Sequence, residues 1–223
     1  MIRIAAQPRP FTCEPARTAL IAIDFQRDFM EPGGFGAALG NDVSLLAPCV
    51  AVAAELFALC RQHGIAIIHT REGHAGDLGD CPPAKREHAP PGLAIGDPGP
   101  MGRILVRGEP GHGIIPACAP RPGEAIIDKP GKGAFYATDL EHRLRAAGIT
   151  HVIGCGVTTE VCVQTTMREA ADRGFRCLVV GDATASYFPA FKTSALAMMA
   201  AQGGIVAAVT DLAAVRAGVQ AAS

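Results

Sequence analysis

Apolar positions along the chain gather into six short runs, with longer periodic segments between them. Residues 18–23 form a continuous apolar run, partly β-branched, that stops at Asp24. This predicts a strand buried on both faces. Residues 65–69, 125–128, 151–155, 176–181 and 205–209 repeat the pattern. The segments between carry helical spacing and stop signals. Asp42 can cap a helix over 43–63 that Gly64 ends, and Thr138 one that runs to 147 before Gly148. Residues 189–202 run to Gly203-Gly204, and a last helix covers 211–220. Another starts after the Gly154–Thr159 turn and continues to Arg173. Strands alternating with helices predict an α/β, Rossmann-like three-layer sandwich with a six-stranded, mainly parallel sheet.

Three segments break the alternation. Residues 1–17 are polar and contain proline, and are expected to form an extended lead-in. Residues 26–40 are loop-like around Pro32-Gly33-Gly34. Residues 71–123 are rich in proline and glycine yet keep apolar anchors at Ile104-Leu105-Val106 and Ile114-Ile115. A stretch that long without regular structure is usually functional. It is expected to cover the active site within one domain spanning 1–223.

Composition narrows the function. The 223 residues are 49% hydrophobic and 18% charged, with a net charge of −1 and no tryptophan. No basic stripe invites nucleic acid, and no basic cluster invites a membrane surface. No apolar run is expected to span a membrane. The eight cysteines show neither CxxC pairs nor zinc spacing. With no signal-like N-terminus, they suggest reduced thiols in a cytoplasmic protein. No cofactor or metal is expected. His69 and His74 read as hydrogen-bonding residues, and His112, between two glycines, as a mobile lid or solvated loop residue.

Parallel sheets bind ligands beyond the carboxyl ends of their strands. Asp24 follows the first strand, Lys129 ends the third, and Cys162 follows the fourth. Taken singly, each has an ordinary reading: a helix cap, a loop charge, a packing thiol. Together they point to one site. Cys162 falls at the start of a helix, where free backbone N–H groups favour a thiolate. A buried carboxylate can accept a thiol proton, and a lysine can hold the developing charge. The turn before Cys162 supplies N–H groups for an oxyanion. The chemistry implied is attack on an amide carbonyl, a thioester, loss of an amine or ammonia, and hydrolysis.

Ala-Leu-Ile-Ala-Ile-Asp-Phe-Gln-Arg-Asp-Phe at 19–29, Ile-Asp-Lys-Pro-Gly-Lys-Gly-Ala-Phe at 127–135 and Gly-Val-Thr-Thr-Glu-Val-Cys-Val at 156–163 resemble the isochorismatase-like cysteine hydrolases. The resemblance implies a catalytic triad of Asp24, Lys129 and Cys162. It also implies a cis peptide between Val157 and Thr158, and an oxyanion hole from the N–H groups of Thr158 and Cys162. The runs at 69–74, 95–100, 107–111, 165–170 and 202–204 are similar to the biuret hydrolase subgroup. That similarity implies conversion of biuret to allophanate and ammonia, with Gln202 and Lys132 holding the ureide and Phe29 as a pocket wall. It implies a homo-oligomer, a tetramer first, whose partners are a small ureide and water. Triuret, ureidoacrylate and N-carbamoyl amino acids are the alternative substrates. A non-catalytic binding module of the same fold is the alternative of a different class.

Overall fold

The computed structural model describes residues 1–222. The N-terminal segment is more ordered than its polar composition suggests. β1 (Ile2–Ile4) and β2 (Phe11–Cys13) pair antiparallel. Their alternate residues are buried, so a period-2 pattern of only three residues each was enough. The chain then enters β3 (Thr18–Ile23), buried at all six positions. Two single-turn helices follow, α1 (Arg27–Met30) and α2 (Phe35–Ala38).

The long first helix splits. A 3₁₀ turn, Val43–Leu46, is capped by Asp42, whose carboxylate accepts from the Ser44 N–H, and α3 (Pro48–Gln62) restarts with Pro48 in its first turn. By length and composition, Val43–Gln62 is apolar enough to cross a membrane, contrary to the sequence expectation. In this structure it serves as a core helix. Cys49, Ala53, Leu56, Phe57 and Cys60 lie on one face and pack into the core with the sheet.

β4 (Ala66–Glu72) runs three residues beyond the predicted strand. The irregular region after it holds α4 (Pro83–Glu87) and a small hairpin of β5 (Pro98–Gly99) and β6 (Gly102–Arg103). Its anchors Ile95, Ile104 and Leu105 make a separate apolar cluster with Cys81, packed against Phe29 and Phe35. The chain continues through β7 (Ala125–Lys129), α5 (Leu140–Ala146), β8 (His151–Val157), α6 (Gln164–Asp172), β9 (Arg176–Ala185), α7 (Pro189–Gly204), β10 (Ala208–Thr210) and α8 (Leu212–Gln220).

The six long-range strands form one sheet in the order β10-β9-β8-β3-β4-β7, every neighbouring pair parallel. α3 and α8 cover one face, and α5, α6 and α7 the other, which gives the predicted three layers. Strand residues alternate between the two cores. Leu20, Ala22, Ile153 and Cys155 face α3, while Ala19, Ile21, Ile23 and Val152 face α6. β3 and β8 are neighbours in space but not consecutive in the chain. The sheet therefore reverses its winding between them, and that is where a ligand crevice opens.

Candidate active site

Three adjacent strands end in charged residues. Asp24 follows β3, Glu72 ends β4 and Lys129 ends β7, with Glu72 and Lys129 paired across the ladder. All three are fully buried. Asp24 adopts a left-handed backbone (φ 53°), which turns the chain sharply away from the strand. Its Oδ1 accepts the Thr70 hydroxyl at 2.6 Å, and its Oδ2 lies 2.7 Å from Lys129 Nζ. Lys129 also donates to the carbonyls of Gly131 (2.9 Å) and Lys132 (3.0 Å). The two carbonyls take two of the three N–H donors of the ammonium, and the Asp24 carboxylate faces it as an ion pair. Burial alone would lower the Lys129 pKa; Asp24, Cys162 and Glu72 outweigh it, so the lysine stays charged.

Glu72 sits between the lysines. Its Oε1 accepts from Lys132 at 2.6 Å and lies 3.6 Å from Lys85, and its Oε2 is 3.9 Å from Lys129. Burial pushes the carboxyl up, but Lys129, Lys132 and Lys85 outweigh it and hold Glu72 below its ordinary pKa. The buried Gln26 side chain clamps the Glu72 backbone on both sides. It accepts from the Glu72 N–H at 2.6 Å and donates to the Glu72 carbonyl at 2.9 Å. Sequence reasoning missed Glu72. The signal was present, since it ends a parallel strand as Lys129 does. Stopping the strand at His69 hid it.

Cys162 arrives from β8. The Val157–Thr158 peptide is cis, and Thr159–Val163 form one π-helical turn ahead of α6. The Thr158 carbonyl accepts from the N–H groups of Val161 and Val163, both at 3.2 Å. The sulfur is buried, 3.7 Å from Glu72 Oε2. Burial pushes the Cys162 thiol well above its ordinary pKa, and Asp24 and Glu72 add to the rise. The pull of Lys129 and Lys132 is smaller. A group must therefore accept the proton as the sulfur attacks. The nearby Cys155 is also fully buried, but it faces the opposite core, towards Cys49, Cys60 and Cys118.

Ligand atoms of Asp24, Glu72 and Cys162 all lie within 4.8 Å of one another, a donor set that would suit a cation. The Lys129 ammonium already supplies positive charge there, 2.7 Å from Asp24 and 3.9 Å from Glu72.

A cavity of about 120 Å³ opens over the sulfur. Thr158 and Cys162 line its reactive side, Glu72 and Lys132 its polar side, and Phe29, Phe35, Leu39 and Tyr187 its apolar wall. The Tyr187 hydroxyl donates to the Phe29 carbonyl at 2.7 Å, tying the segment after β9 to α1. A larger hollow of about 460 Å³ lies at the start of β9, by Arg176 and Gly204, and includes none of this charged cluster.

Gln202 is not part of the cavity. It is exposed, in a break at the end of α7 (φ 53°). α7 begins just after Tyr187 and runs back towards the start of β10, so the helical residues from Pro189 to Ala200 carry Gln202 roughly 20 Å from the cavity. His112 is neither a lid nor a solvated residue. It is 1% exposed and lies 3.4 Å from Asp128 Oδ1. His69 bonds Glu124 at 3.0 Å, and His74 contacts Asp80 and Lys85, both at 3.2 Å.

The comparisons with known proteins agree with this architecture. Residues 18–211 match the isochorismatase domain. Ureidoacrylate amidohydrolase RutB of Methylobacterium radiotolerans is 32% identical over 187 residues, covering 81% of this chain and 72% of the relative. The protein of the same name from Pantoea ananatis is 30% identical, covering 86% and 78%. A cysteine hydrolase structure from Pseudomonas syringae superposes with a TM-score of 0.81 at 28% identity, covering 96% of this chain and 97% of that one. The sheet order, the strand-end cluster and these matches lead to one statement: the chain belongs to the isochorismatase family.

Proposed function

We propose that the protein is a cysteine amidohydrolase that cleaves a C–N bond of a small linear ureide, biuret first. The observation that carries this is a thiol held within 4.8 Å of the Asp24 and Glu72 carboxylates, at the floor of a cavity of about 120 Å³ that Lys132, Thr158 and Tyr187 also line. That volume suits a compact, polar molecule.

Cys162 is the nucleophile. Asp24 takes its proton, its carboxylate lying within 4.8 Å of the sulfur. The S–C bond forms as the carbonyl π electrons move to oxygen, where the N–H groups of Thr158 and Cys162 receive them. Asp24 returns the proton to the departing nitrogen, the C–N bond breaks, and a thioester remains. Water then attacks the thioester, giving its proton to Asp24, and the sulfur leaves. Lys129 keeps its charge throughout and balances whichever partner is anionic. For biuret the products are allophanate and ammonia.

A second reading is ureidoacrylate hydrolysis, favoured by the two relatives of that name. Purified protein is tested with biuret, triuret, ureidoacrylate and N-carbamoyl amino acids, following ammonia. Release from biuret above the others supports the first reading. Preference for ureidoacrylate replaces it with the second, and release from none refutes both.

A further inference from the structure

The two oxygens of Glu72 are unequally engaged. Oε1 accepts a 2.6 Å hydrogen bond from Lys132 and faces Lys85 at 3.6 Å. Oε2 accepts a weak hydrogen bond from the Cys162 thiol at 3.7 Å and lies 3.9 Å from Lys129 Nζ, too far for a direct hydrogen bond to the ammonium. A carboxylate oxygen can accept two donors, and leaving a buried ionised acceptor short of them is costly. Glu72 lines the cavity, and Oε2 is the oxygen beside the sulfur. Gln26 fixes the backbone from both sides, so the carboxylate cannot retreat with its strand. The oxygen is thus rigidly placed and charged, and the weak donor it holds is the thiol of the attacking sulfur, which it loses when that proton leaves.

We propose that Glu72 is a specificity-determining residue whose Oε2 accepts a hydrogen bond from an N–H on the carbonyl carbon that Cys162 attacks. This deepens the amidohydrolase reading and rests on it. Lys132, held to the other oxygen, has ammonium protons left for a carbonyl oxygen. The pair presents an acceptor and a donor side by side, the complement of a carbamoyl group. An ester or ketone of the same shape leaves Oε2 without its donor, and a carboxylate at that place meets a like charge. Discrimination of this kind is large because the enzyme's own buried polar group is left unpaired.

The test does not need the natural substrate. Cys162 is alkylated with iodoacetamide and with iodoacetone, which has a methyl group where iodoacetamide has NH₂. In both, the C–S bond forms as C–I breaks, iodide leaves, and the thiol proton passes to buffer. Rates are followed by mass spectrometry of the Cys162 peptide and normalised to a free thiol under the same conditions. Wild type is expected to favour iodoacetamide by about tenfold or more, the value of one hydrogen bond to a charged group. Glu72→Ala is expected to bring the ratio close to that of the free thiol. The shape-preserving Glu72→Gln, which keeps a weaker acceptor, should lower it part of the way and stands in if the alanine variant does not fold. A wild-type ratio equal to the free thiol, or a ratio unchanged in Glu72→Gln, overturns the proposal. Ammonia release from ureides is measured on the same wild-type sample. Its absence would refute the amidohydrolase reading, while the alkylation ratio still reports on Glu72.

Discussion

Replacing Lys129 with methionine removes a cation that touches both buried carboxylates. The lysine lies 2.7 Å from Asp24 and 3.9 Å from Glu72, and all three side chains are essentially unexposed. At an effective dielectric constant near 20, those contacts correspond to about 6 and about 4 kcal/mol of Coulomb attraction. The cost of taking the ammonium out of water offsets much of this, so the net loss should be about 3–5 kcal/mol. Against a typical stability of about 5–15 kcal/mol, the variant would fold weakly at neutral pH. Urea unfolding of Lys129→Met, Asp24→Asn and the double variant measures the coupling. The double variant should lose about 2 kcal/mol less than the sum of the singles, because Asp24→Asn removes one charge that Lys129→Met leaves stranded. The pH dependence carries a sign. In the wild type the folded-state pKa of Glu72 is depressed, so its contribution is present above about pH 4.3 and is lost as pH falls. Without Lys129 that pKa rises, and the deficit of the variant should shrink as pH falls from 7 towards 4. Additive losses, together with a deficit that does not change with pH, would refute the charge-network reasoning.

Three further outcomes follow from other contacts. Glu124 takes a two-pronged hydrogen bond from Arg61 (2.7 and 2.9 Å), which with the Arg121 N–H and His69 outweighs burial and depresses its carboxyl from 4.5 to about 2. Its stabilisation, about 3 kcal/mol, should be full above about pH 4.5 and vanish as pH falls towards 2, so Arg61→Met should flatten the acid limb of a Tm-against-pH curve. Gly156 sits at φ 123° in β8, where a Cβ would strike the Ile23 backbone; Gly156→Ala should abolish soluble expression or lower Tm sharply. Tyr187→Phe deletes the hydroxyl that anchors the Phe29 carbonyl, so it should cost about 1 kcal/mol in urea unfolding and raise KM more than it lowers kcat.

Much of this molecule was legible because its strands are short, apolar and buried on both faces. β3 and β7 start where the periodicity starts, and the strand-end rule brought Asp24, Lys129 and Cys162 to one edge before any distance was known. The rule worked less well where a strand outlasts its apolar run. β4 continues through His69, Thr70, Arg71 and Glu72, four polar residues that find hydrogen-bond partners on neighbouring segments, so hydropathy stopped the strand too early. The state of the sulfur was illegible for a related reason. Helix-start position argues for a lowered thiol pKa, whereas burial pushes it up, and burial is not a local property. Gln202 shows the limit of carrying a residue over by resemblance. Its motif matches, yet the length of α7 puts it at the far end of the sheet within its own chain. His112 misled in the opposite sense, because flanking glycines suggested mobility while Gly73 and Gly111 instead permit close packing around it and Asp28.

The central claim is that Cys162, and not its buried neighbour Cys155, forms the covalent intermediate. Ammonia release from biuret by wild type, Cys162→Ser and Cys155→Ala, each checked for folding by Tm, tests it directly. The account predicts that Cys155→Ala retains most of the wild-type rate, whereas Cys162→Ser falls by at least about a thousandfold. Comparable loss in both variants, or turnover surviving in Cys162→Ser, would contradict it.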